Sequence, residues 1–462
     1  MIAARCCAGL AGAVLLVVAT GFLVPPAAGA IAPPVVEPGP PPAGPVGPLQ
    51  PTELKSICGI PTGVLPATDF AKATSADAML DYRSAWRFST GAGQKVAVID
   101  TGVSRHPRLH SLEAGGDYVS NSDGRQDCDA HGTLVAGIIA AAPSADDSFA
   151  GVAPDASILS IRQNSGAYGL AGTGANSKDD PNATSTGYGN TQTLALAITR
   201  AVDLGATVIN LSEVACAPVA AGLDDAAVGR AVRYAFERNV VVVAAAGNFN
   251  NQSMCNAQNV MTDPNQPLER GWDTVGTIAS PAWFDDYVLT VGAVTTSSAP
   301  AEFSLHGPWV ALAAPGERIT SLDSNGPGLI NGQLGQQGMA PLNGTSFAAP
   351  FVSGVVALIR SRFPELTAGQ VMDLIKRTAH TPGEGPNPAT GYGVVDPVAA
   401  LTHQLAPANG GPRPEAGTPI SGPPQPDPGN ARARMIVFGV TAISVALMAG
   451  AVALAAARRR GR

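Results

Sequence analysis

The chain has 462 residues, room for one large domain or two ordinary ones. Hydrophobic residues make up 45% and charged residues only 14%, with a formal net charge of −7. That balance, with no basic stripe in the middle of the chain, argues against a nucleic-acid binder and for an acidic soluble surface.

Residues 1–30 read as a secretory signal peptide. Arg5 is followed by the apolar run LAGAVLLVVATGFLV, and Ala28-Gly29-Ala30 has the small-x-small pattern of a cleavage site. Cys6 and Cys7 precede the apolar core, which argues against a lipoprotein signal. Residues 31–79 form an N-terminal extension whose first part, PPVVEPGPPPAGPVGP, is expected to be extended or disordered.

From residue 80 to residue 404 strand and helix patterns alternate. KVAVID reads as a short buried strand, GTLVAGIIAAA as a small-residue helix and ASILSIR as a strand. TLALAITRAVDLG is an amphipathic helix, ATVINLS a strand, DDAAVGRAVRYAFERN a helix and VVVVAAAGN a strand. YVLTVGAV and WVALAAPG follow as strands, then the helix that opens at GTSFAAP, then AGQVMDLIKRTA. Apolar strands separated by helices imply an α/β fold with a mainly parallel sheet covered on both faces. In such sheets the active site lies at the carboxyl ends of the strands.

Residues 405–434 are a second Pro-rich linker, read as a stalk. Met435–Ala457 is uncharged over 23 residues, about 34 Å of helix, enough for roughly 30 Å of hydrocarbon. The basic tail 458–462, RRRGR, belongs on the cytoplasmic side. The expectation is a single-pass protein of the cell membrane with its body outside the cytoplasm.

Export changes the reading of the cysteines. Cys58, Cys128, Cys216 and Cys255 lie beyond the signal peptide, and no C-x-x-C suggests zinc. Outside the cytoplasm they suggest two disulfides with three possible connectivities. We favour the sequential one, Cys58–Cys128 and Cys216–Cys255.

The strand ends carry the chemistry. Asp100 ends KVAVID, His131 opens a helix, Asn248 follows VVVAAAG, and Ser346 opens the helix after Gly-Thr. Singly, each has a plainer reading: Asp and Asn in turns, His and Ser at helix starts. Together they meet the needs of a serine nucleophile: a base, a carboxylate to orient it, and donors for the oxyanion.

VAVIDTGV, DAHGTLVAGIIA, VVAAAGN and GTSFAAPFVSGVVAL resemble the four signature blocks of the subtilisin-like serine proteases, in the Asp…His…Ser order of that family. The resemblance covers roughly 85–401 and implies a subtilisin-like three-layer fold. The whole organisation resembles the mycosins, membrane-anchored proteases that accompany type VII secretion systems. SDGRQDCDAHGTLVAGIIAA, SPAWFDDYVLTVGAV and GYGVVDPVAALT are similar to mycosin stretches. The resemblance implies Asp100 orienting His131, His131 as general base, Ser346 as nucleophile and Asn248 in the oxyanion hole. It implies Ser212, Glu213 and Val214 on one wall of the substrate cleft, with Ala245, Ala246 and Gly247 on the other. It also implies the sequential disulfide pairing, protein or peptide substrates, and a type VII secretion membrane complex as partner. No cofactor is implied, and no Asp-rich loop has a calcium-binding spacing, so no metal is expected.

Three departures stand out. Subtilisins usually carry Leu-Gly where this chain has Glu213-Val214. Glu213 then either faces the cleft and favours basic or polar substrate groups, or turns to solvent. The N-terminal extension is too short and Pro-rich to be a typical folding pro-domain, and is expected to stay attached without gating the site. The loop PSADDSFAGVAPD is short where many mycosins carry a long insertion. The expected function is a secreted-protein endopeptidase; the alternative is a scaffold that stabilises the secretion complex.

Overall fold

The computed structural model describes residues 31–59, 62–173, 180, 182–250, 255–260, 268–335, 338–403 and 431–460. The expected signal peptide and most of the second linker lie outside them. The chain divides into two units with the boundary after His403.

The first unit is built on a seven-stranded sheet: β1 (Lys95–Asp100), β2 (Leu112–Asp117), β3 (Ser157–Arg162), β4 (Val208–Leu211), β5 (Val241–Ala245), β6 (Val288–Val294) and β7 (Val310–Pro315). Its order is β7-β6-β5-β4-β1-β3-β2, and every neighbouring pair is parallel. The chain builds to one side of β1 and then to the other. The carboxyl end of β1 is therefore the switch point where open α/β sheets place their sites.

Side chains alternate across the sheet, so each strand feeds two cores. Val96 and Val98 of β1 join α1 (His131–Ala140), α4 (Thr345–Arg362) and α5 (Ala368–Arg377) on one face. Ala97 and Ile99 join α2 (Thr191–Asp203) and α3 (Ala226–Glu237) on the other. Burial on both faces is why these strands read as continuous apolar runs. The result is the three-layer α/β arrangement expected.

The N-terminal extension is laid onto this body. Thr52–Leu54 pairs antiparallel with Tyr168–Leu170, and Thr62–Gly63 pairs with Gly332–Gly335 of a β-hairpin. Between these pairings Cys58 is bonded to Cys128, 70 residues on; Cys216 and Cys255 form the second disulfide. Both disulfides follow the sequential pairing. Upstream, Val36 packs against the α2–α3 core, and Tyr188 Oη accepts from the Leu49 N–H at 2.9 Å.

Among the described residues the second unit contains one helix, Ala431–Arg460, which starts before the expected Met435 and takes in the first arginines of the tail. Ile443, Val445, Leu447, Met448, Val452 and Leu454 are exposed on it. Among the described residues no helix is long and apolar enough to cross a membrane. The expected span begins on residues whose side chains lie outside that set.

Candidate active site

Asp100, the last residue of β1, is fully buried. Its Oδ1 accepts from the Thr101 N–H at 2.7 Å and from His131 Nδ1 at 2.8 Å. A carboxylate only accepts, so Nδ1 carries a proton, and whenever the ring is neutral its lone pair is on Nε2. That is the tautomer a general base requires.

His131 is the first residue of α1, and the helix start is fixed by a side chain the sequence reading did not single out. Asp127 Oδ2 accepts from the Thr133 N–H and hydroxyl at 2.9 and 2.6 Å, and its Oδ1 accepts from the Thr101 hydroxyl at 2.9 Å. The Thr101 hydroxyl oxygen accepts from the Gly132 N–H at 2.9 Å. Asp127 and Thr101 thus lock the amino end of α1 to the end of β1, supplying the cap that Ala130 lacks. Burial pushes the Asp127 carboxyl up to about 6, against the pull of its Thr133 hydrogen bonds. The only available signal was an Asp four residues before His131 in a stretch with no apolar pattern.

Glu213 is partly buried, and its Oε1 lies 3.5 Å from His131 Nδ1. Burial raises the Glu213 carboxyl and the charge of His131 draws it back. Burial works against the imidazolium of His131, but Asp100, then Glu213 and Asp127, push its proton affinity well above that of an ordinary histidine.

Ser346 is the second residue of α4 and is buried. A Cβ on Gly344 would lie 2.8 Å from Ser346 Oγ and 3.4 Å from Asn248 Nδ2, so these two groups converge on one glycine. Asn248 Oδ1 accepts from the Thr345 N–H at 2.9 Å and its hydroxyl at 3.0 Å. That fixes the amide so that its Nδ2–H₂ remains the donor near Ser346. At the amino end of α4 the Thr345 N–H is taken by Asn248 and the Phe347 N–H by the Gly344 carbonyl, which leaves the Ser346 N–H beside its own hydroxyl. The Phe347 ring stands 5.3 Å from the His131 ring. Among the described residues the Ser346 hydroxyl makes no hydrogen bond, neither to His131 nor to another group.

On the expected cleft walls, Gly247 and Val214 face each other: a Cβ on Gly247 would lie 3.3 Å from Val214 Cγ2. The side chains of Ala245 and Ala246 are buried in two different cores, so this wall offers backbone rather than side chains. Ser212 belongs to a buried relay. The Ser353 hydroxyl donates to Asn210 Oδ1, Asn210 Nδ2 to Ser212 Oγ, and the Ser212 hydroxyl to the Ser346 carbonyl, each at 2.8 Å. Asn210 and Ser353 were also missed. Their signal is a polar residue inside a fully apolar run, which demands buried partners.

Asp100, His131 and Glu213 bring three ligand-type atoms within 4.8 Å of one another, the spacing of a metal site. The 2.8 Å contact between Nδ1 and Oδ1 is a direct hydrogen bond, so two of the three donors are already used on each other.

The sequence pattern of the subtilase family matches residues 91–394. Mycosin-4 of Mycobacterium tuberculosis is 45% identical over 96% of this chain and 94% of its own length. The structure of MycP3 protease from the type VII (ESX-3) secretion system is 44% identical, with a TM-score of 0.75 over 81% of this chain and 100% of that one. A chain of an intact ESX-5 inner membrane complex is 42% identical, with a TM-score of 0.75 over 91% of this chain and 99% of that one. A family pattern that takes in every strand of the sheet but leaves both termini outside, with identity of this order running nearly end to end, makes the chain a member of the subtilase family and, within it, of the mycosins.

Proposed function

We propose that this mycosin is a serine endopeptidase in which Asp100, His131 and Ser346 form the catalytic triad. The observation that carries the reading is the Asp100–His131 hydrogen bond at 2.8 Å beside the convergence of Ser346 and Asn248 on Gly344. His131 Nε2 takes the Ser346 hydroxyl proton as Oγ attacks the peptide carbonyl, and then gives it to the leaving amine. Asn248 Nδ2 and the Ser346 N–H hold the oxyanion. Asp100 keeps the ring in the required tautomer. Ser212 to Val214 and Ala245 to Gly247 bind the substrate backbone, and the attached N-terminal extension does not gate the site. Labelling with a fluorophosphonate tests this: the wild-type chain labels and Ser346→Ala does not. A folded wild type that stays unlabelled overturns it.

The same reading makes the uncharged stretch Met435–Ala457 a single membrane span, with the protease body outside the cytoplasm and a type VII secretion complex as its partner. The helix Ala431–Arg460, with exposed apolar side chains from Ile443 to Leu454, supports the anchor. Similarity to a chain of an ESX-5 inner membrane complex supports the partner, and favours a second role as a stabilising component. Secretion lost on deletion but kept by Ser346→Ala would make the scaffold role the primary one.

A further inference from the structure

We infer that Glu213 is a second positioning carboxylate for the general base, sharing the Nδ1 side of His131 with Asp100 and setting the pH range in which Ser346 is activated. The inference rests on the triad assignment above. Its observation is the pair of contacts at Nδ1, 2.8 Å to Asp100 Oδ1 and 3.5 Å to Glu213 Oε1.

The Nδ1 proton has one good acceptor, Asp100. At 3.5 Å Glu213 is too far for a well-formed hydrogen bond, so it acts through its charge and as an alternative acceptor if the ring turns. The groups that face His131 are of one sign. Asp100 comes from β1, Asp127 and Asp129 from the segment before α1, and Glu213 from the segment after β4. From α4 the neighbour is the apolar ring of Phe347. A negative charge beside an imidazole favours its protonated form. His131 must be neutral to take the Ser346 proton, so an ionised Glu213 moves the onset of activity to higher pH. The same charge steadies the imidazolium formed when Oγ bonds to the carbonyl carbon and its proton reaches Nε2. The proton balance is unchanged, because Glu213 neither gives nor takes the transferred proton.

The test uses the full-length chain in detergent micelles, as wild type, Glu213→Gln and Glu213→Leu. The rate of fluorophosphonate labelling is followed from about pH 5 to about pH 10, beside NMR titration of ¹³C-labelled histidine assigned with His131→Ala. The expected result is a fall of about one pH unit or more in both midpoints for both variants, equivalent to about a tenfold change in proton affinity. Labelling at the acidic end rises accordingly. A residue that only packs would change labelling alike at every pH. Unshifted midpoints with normal labelling overturn the role of Glu213 and leave the triad standing. A shifted His131 midpoint without labelling at any pH overturns the nucleophile assignment instead and leaves the pairing of Glu213 with His131 standing. A changed preference for basic substrate residues with no shift would make Glu213 a substrate contact and overturn the inference.

Discussion

The Ser212 hydroxyl donates to the Ser346 backbone carbonyl at 2.8 Å, in the place where α4 lacks a donor of its own. That carbonyl would ordinarily accept from the residue four positions on, which is Pro350, inside the helix and without an N–H. The proline thus frees the Ser346 carbonyl, and Ser212, the residue just past the end of β4, takes it. Ser212→Ala is expected to cost about 1–3 kcal/mol, the penalty of an orphaned buried acceptor. In a Pro350→Ala background the helix supplies its own donor, and the cost of Ser212→Ala should fall. Urea unfolding of the four proteins of this cycle checks it. A coupling below about 0.5 kcal/mol would mean that the two residues are independent.

The core of this arrangement is legible in the chain, for a physical reason. Strands such as KVAVID and VVVAAAG are buried on both faces, so their apolar runs are unbroken and their ends are marked by the first polar residues, Asp100 and Asn248. β2 was not read as a strand. It is the edge of the sheet: Glu113 is exposed, Gly115 has no room for a Cβ against Ile161 and Ser160 of β3, and Gly116 takes a positive φ where the register with β3 shifts, so no alternating pattern survives. The short pairings of the N-terminal extension escaped for another reason: two or three residues have no periodicity to read. The direction of Glu213 depends on where β4 sets the chain relative to α1, and local sequence does not encode that.

Asn248→Ala should lower kcat by about 100- to 1,000-fold, or roughly 2.7–4 kcal/mol of transition-state stabilisation; that magnitude comes from a subtilisin, a relative of this chain. KM should change little, because in the role proposed for Asn248 the donor meets the developing oxyanion rather than the bound substrate. The removal of Oδ1 also frees the Thr345 N–H, so a small loss of stability should accompany it. Steady-state kinetics on a peptide substrate, beside a melting curve, separates the two effects.

Gly132 has no room for a side chain. A Cβ there would sit 2.0 Å from the Gly102 carbonyl oxygen and 3.2 Å from Asp100 Cβ. The nearer neighbour is backbone of the turn that leaves β1, so the clash has no cheap relief. Gly132→Ala should lose most activity and cost more than about 2 kcal/mol of stability. Gly344→Ala is the informative contrast. Its Cβ would meet the rotatable Ser346 Oγ at 2.8 Å, so the fold should survive while fluorophosphonate labelling falls sharply.

Asp127 joins the site to the pH dependence of the fold. Its folded value, pushed up to about 6 from 3.8 by burial, lies above that of the unfolded chain. Between these values the native state holds a proton that the unfolded chain has released. The stabilising contribution is therefore complete below about pH 4 and is lost as pH rises through about 6. Asp127→Asn removes this titration. The variant should show a smaller drop in stability than the wild type between about pH 4.5 and pH 7, by roughly 1–3 kcal/mol. Urea midpoints at the two pH values, compared as a difference of differences, cancel the other carboxylates. A wild type that gains stability relative to Asp127→Asn as the pH rises would show instead that the four hydrogen bonds from Thr101, Thr133 and Asp129 hold the carboxylate ionised against its burial.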